Sequence, residues 1–256
     1  MTLEGQDPGV IQASRADRMT RRPTVTATTP TPASPAAGRF YDARRGIYYT
    51  KPVMRGWLHL LWFGVSLVVS TVLLAHTPGT ARVLSFGVYA VSVGALFGIS
   101  ALYHCGTWSE ASRQRLQRLD HVMIFFLIAG TATPVFIVAA PGPPGRTGLI
   151  LLWVLTAAAA TIHLAWMDAP ERLVGGTFIA LGWVAALALP AVWLHSGPVA
   201  GGLMLGGGLL YTAGALSYHR RRPDPYPSVF GYHEVFHVYV CAGAACQYLA
   251  IAAFLR

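Results

Sequence analysis

The chain has 256 residues, of which 54% are hydrophobic and only 11% charged, and its formal net charge is +9. So little charge cannot cover a water-soluble fold of this size, which excludes a soluble globular protein and points to a polytopic membrane protein. The positive balance does not imply a nucleic-acid partner, because the basic residues fall in the N-terminal segment and in alternate loops, where membrane orientation requires them.

Residues 1 to 45 are rich in Thr, Pro and Ala among scattered Arg. That composition has too little apolar surface to repay ordering, so a disordered cytoplasmic tail is expected. It is not a signal peptide, since no apolar stretch closely follows its basic residues.

Residues 46 to 256 form the expected transmembrane domain. From Gly56 onward seven apolar runs approach the roughly 20 residues that cross a bilayer core. Their limits are 56–76, 82–104, 119–140, 147–166, 173–194, 198–218 and 234–255. The predicted fold is therefore all-α, with seven transmembrane helices. Pro134 and Pro190 fall inside the third and fifth runs, where neighbouring helices re-satisfy the freed carbonyls. Gly202 and Gly206 in the sixth suit close helix packing. Nine basic residues lie at or before Arg55, three at 113–118, one at Arg172 and three at 220–222, against Arg82, Arg146 and Arg256 on the other side. That asymmetry predicts a cytoplasmic N-terminus and an external C-terminus, in the cell membrane. The three cysteines, Cys105, Cys241 and Cys246, show no disulfide spacing. Cys241 and Cys246 read as small packing residues.

On this topology the unusual polar residues converge at one depth. Ser100 and His104 are four apart in the last turn of the second helix and share a face. Asp120 and His121 fall at the start of the third, and His233 and His237, again four apart, at the start of the seventh. Two histidines at this spacing bind zinc from one side, with a third ligand arriving from elsewhere in the fold. The expected ligands are His104, His233 and His237, with Asp120 and Ser100 as the catalytic residues around the metal's water. Asp120 has a plainer alternative as a helix-dipole partner. His121 reads as a supporting or interfacial residue. His59, His76, His163, His195 and His219 are lone histidines at membrane boundaries and read as interfacial. The string from His233 to His237 also matches H-E-x-x-H, in which Glu234 would be the general base of a metalloprotease.

Three pieces of the chain carry a family resemblance: Ser100-Ala101-Leu102-Tyr103-His104, the run from Arg118 through Asp120 and His121 to Pro134, and the His233/His237 pair. Over residues 45 to 256 the chain resembles the hemolysin III family, the bacterial branch of the progestin and adipoQ receptors, related to alkaline ceramidases. The resemblance implies seven helices and zinc near the cytoplasmic side on His104, His233 and His237, with Asp120 and Ser100 around the water. It does not include Glu234. It implies a zinc-dependent hydrolase acting on a membrane lipid, an amide or ester. The competing readings are a lipid sensor with structural zinc, a cytolysin, and the intramembrane metalloprotease. Polar groups concentrated at one end count against a pore.

Overall fold

The computed structural model describes residues 39–42, 47–166 and 169–255. The expected disordered tail therefore lies outside the described residues, apart from strand β1 (Arg39–Asp42). This strand pairs with β2 (Ile47–Thr50) in a two-stranded sheet. The chain divides at Tyr49 into this N-terminal unit and a helical unit.

The helical unit begins with α1 (Trp57–Ala75), α2 (Thr80–Cys105) and α3 (Glu110–Pro134). The third helix starts nine residues before its apolar run. Ser109 caps it, its hydroxyl accepting from the Ser112 amide at 3.4 Å, and Glu110 supplies the acid of the first turn. Asp120 is therefore not in the first turn, and the helix-dipole role weighed for it is filled by other residues. Beyond Pro134 the chain continues as a π-helical turn, Val135–Ala139. Such a local widening is one way a membrane helix absorbs a proline. Next come α4 (Pro143–Ala165), which opens on two prolines, and α5 (Glu171–Ala185). One 3₁₀ turn then leads into α6 (Leu189–Arg220), and α7 (Tyr232–Ala252) closes the unit.

Among the described residues, six helical stretches are long and apolar enough to cross a membrane. The fifth and sixth expected runs lie together in one 50-residue stretch, Glu171–Arg220. An unbroken α-helix of that length would be about 75 Å long. Yet the Arg221 guanidinium, just past one end, lies 3.5 Å from the Glu171 carboxylate at the other. The chain doubles back at Gly197, whose φ of 81° and ψ of 176° are open essentially to glycine alone.

Burial sorts the helices. The apolar windows of α2, α3 and α7 are 50%, 56% and 44% buried, whereas those of α1, α4 and the 171–220 stretch reach 22% at most. The inner helices are thus the three that carry His104, Asp120 and the His233/His237 pair. On the outside, Leu61, Val68, Ile150, Leu187, Leu194 and Val199 are well exposed. So many large apolar side chains on the outer surface belong in lipid.

Candidate metal centre

Three local features assemble one end of the bundle. Before α1, the amides of Val53 and Met54 donate to the carbonyls of Ser228 and Val229, each at 3.1 Å, joining the entry segment to the loop before α7. Gly56 then adopts a φ of 89°, and a Cβ there would come within 2.7 Å of the His104 Cβ. Glycine at this position lets the chain close against the end of α2. Lys51 reaches the Gly106 carbonyl at 3.5 Å, capping the same helix, and burial at this rim lowers its pKa below the ordinary lysine value.

The start of α7 is anchored as firmly. Glu234 is fully buried, and one of its carboxylate oxygens accepts from the Gly231 amide at 2.8 Å. The other pairs with the Arg55 guanidinium. A helix whose N3 carboxylate caps its own N-terminus and binds a cation of a neighbouring segment has its rotation and depth defined. Both Glu234 oxygens are engaged in this way. A general base needs an oxygen free for the nucleophile. Glu234 is a structural latch here.

With both ends held, His104 in the last turn of α2 meets His233 and His237 in the first two turns of α7. The three rings form a triangle with centroid separations of 4.7, 5.2 and 4.7 Å. Their ligand nitrogens all lie within 4.8 Å of one another, so the three can hold a metal ion. Two nitrogens on one tetrahedral ion stand about 3.4 Å apart, a distance small side-chain rotations reach. The donor chemistry fits as well. His104 Nε2 and His237 Nδ1 are buried with no hydrogen-bond partner among the described residues. Buried imidazole nitrogens are rarely left without a partner. Asp120, its side chain 15% exposed, brings a carboxylate oxygen to 3.8 Å from His104 Nε2.

The remaining polar residues sort themselves around this triangle. Ser100 is buried, and its hydroxyl lies 2.8 Å from His59 Nδ1. His59 was expected at the interface, but it is buried, and its ring stacks on His237 at 3.7 Å. His163 departs from the same expectation. It is 6% exposed, and its Nε2 lies 3.1 Å from His121 Nδ1. His76, His195 and His219 are exposed, as boundary residues should be. Cys241 is packed into the apolar core. What sequence reasoning missed is His59. One signal was present: it falls three residues into the first apolar run, deeper than a side chain that must stay in water.

An apolar cavity of about 190 Å³ lies within the bundle between α2, α3, α5, α6 and α7. Its lining includes Leu96, Ile128, Trp183 and Leu205, together with Phe236 and Val240, which flank His237 along α7.

Fold and centre together define a helical membrane protein with a buried three-histidine site that is competent to hold a metal. The chain belongs to the haemolysin-III-related family, whose model matches residues 47–248. It is similar to Hemolysin-3 of Bacillus cereus, with 27% identity over 73% of this chain and 84% of that protein. It is also similar to the Heptahelical transmembrane protein ADIPOR2 of Oryza sativa subsp. japonica, with 30% identity over 66% of this chain and 81% of the relative. A third relative, the human Monocyte to macrophage differentiation factor, is 24% identical over 66% of this chain and 69% of its own length.

Proposed function

We propose that the chain is a seven-pass protein of the cell membrane, with a cytoplasmic N-terminus and an external C-terminus, that hydrolyses the amide or ester bond of a membrane lipid at a zinc ion. The observation that carries this reading is the histidine triangle, with Asp120 beside it, in a bundle whose apolar cavity is lined by the neighbours of His237 in α7. The doubling back at Gly197 and the heptahelical name of the rice relative support the count of passes. The basic-residue asymmetry supports the orientation.

His104, His233 and His237 would hold the zinc, leaving a fourth position open as catalytic sites do. Bound there, zinc supplies an activated water and a Lewis acid for a carbonyl. The chain's own residues do the rest. Asp120 would be the residue to orient a water there and accept its proton. The Ser100 hydroxyl steadies the carboxylate and the polar end of the lipid. The cavity from Phe236 to Trp183 receives an acyl chain, which places the scissile bond at the polar end. The separation of a polar head from an apolar cavity favours a lipid substrate over a peptide, whose backbone would lie unsatisfied in such a lining.

The second reading is a lipid sensor with structural zinc. It is favoured by one feature, the depth at which the triangle is buried, since structural sites are closed. Metal analysis of purified protein together with a hydrolysis screen over ceramides, glycerolipid esters and free-carboxyl controls separates the two. About one zinc per chain with turnover of one lipid class establishes the hydrolase. Zinc without turnover of any class, in protein that still binds lipid, establishes the sensor.

A further inference from the structure

One buried side chain next to the triangle has no role in the reading above. His59, on α1, is 3% exposed, although α1 is otherwise an outer helix. Its ring lies between two others. His237 stacks on it at 3.7 Å with planes 16° apart, and the Phe97 ring stands edge-on to it at 5.0 Å and 82°. The ring cannot turn without displacing one of them. Its Nδ1 meets the Ser100 hydroxyl at 2.8 Å, one turn of α2 before His104.

His59 Nε2 is buried with no hydrogen-bond partner among the described residues. A histidine kept merely for packing would not need a nitrogen buried at that expense.

We propose that His59 is a positioning residue of the metal centre: its ring, held by Ser100 and by Phe97, stacks on His237 and braces that imidazole beside His104. The inference rests on the metal reading above. The outer helix α1 then contributes to the surroundings of the ion through two links, ring to ring with His237 and Nδ1 to the Ser100 hydroxyl. Such partners around metal ligands set both affinity and geometry.

The test uses the full-length protein in detergent, loaded with cobalt(II), whose visible absorption bands report ligand geometry. Affinity is read by competition with a chelator. His59→Leu removes the stacked ring and both nitrogens. His59→Phe keeps a ring to stack on His237. Ser100→Ala loosens the ring without removing it. We expect His59→Leu to weaken cobalt binding by roughly 10- to 100-fold and to shift the absorption bands, with His59→Phe and Ser100→Ala each losing less than about tenfold. The double variant His59→Leu/Ser100→Ala should be no weaker than His59→Leu alone, because Ser100 acts through the ring. Losses that multiply in the double variant overturn the proposal, as do unchanged bands and affinity in His59→Leu. So does a loss in His59→Phe as large as in His59→Leu. Should His59→Leu fail to fold, His59→Asn, which also lacks the ring, takes its place. A wild-type protein that takes up no cobalt defeats the metal reading itself, whereas multiplying losses on a cobalt-binding wild type defeat only the role of His59.

Discussion

Two groups of buried and half-buried histidines sit in this bundle, and they differ in what surrounds their nitrogens. His121 and His163 spend a nitrogen on each other, 3.1 Å apart across α3 and α4. In the triangle of α2 and α7, His104 Nε2 and His237 Nδ1 have no partner among the described residues, and a carboxylate oxygen stands 3.8 Å from the first. Burial alone therefore does not mark a metal site. What marks it is three ligand nitrogens within 4.8 Å of one another, with a negative charge at hand to offset a cation that has lost its water.

The largest effect should separate the two groups outright. His104→Ala, His233→Ala or His237→Ala should each lower metal affinity by more than about 100-fold, while His121→Phe and His163→Phe leave one metal per chain. Metal content after dialysis reads the difference, and a stripped His163→Phe protein would erase the distinction drawn here. Asp120→Asn sharpens it from the other side. The variant should keep its metal and lose lipid hydrolysis by about 10²- to 10⁴-fold. Loss of metal along with activity would instead make Asp120 a ligand.

Glu234 tests whether a carboxylate beside two ligands must be catalytic. Glu234→Ala removes the partner of Arg55 and the cap of α7, and should destabilise the protein by about 3 kcal/mol, seen as an earlier thermal transition in detergent. Turnover per bound metal should hold. A selective collapse of turnover at unchanged stability would restore the metalloprotease reading. The smallest effect concerns the cavity. Gly208 lines it, and no atom lies within 4 Å of a Cβ built there. Gly208→Leu should therefore narrow the cavity without a clash and shift preference toward shorter acyl chains by about tenfold, with metal content unchanged. Equal rates across chain lengths would remove the cavity from the mechanism.

Much of this was legible in advance. Hydropathy located the apolar runs because membrane length and the need to satisfy backbone groups within helices leave few alternatives. The four-residue spacings of Ser100/His104 and His233/His237 placed each pair on one helix face, and the alternation of directions brought both pairs to one depth. The start of α3 was not legible. Its first nine residues are polar, and hydropathy does not register a helix outside lipid, whereas the Ser109 cap does. Nor was the role of Glu234: H-E-x-x-H describes one helix, while the Arg55 that engages this carboxylate lies 179 positions away.

His59 marks the boundary most clearly. Sequence by itself determined that the chain is a membrane bundle, which helices carry the metal-competent histidines and that these share an end. Those properties follow from local periodicity and from transfer of side chains between water and lipid, and both are written along the chain. Only the tertiary structure decided that a lone histidine on an outer helix stacks on His237 and bonds Ser100, or that Gly56 lets the chain close on His104. Contacts between helices depend on rotation and depth. Those are set by side chains far apart in sequence, which no pattern in a single segment records.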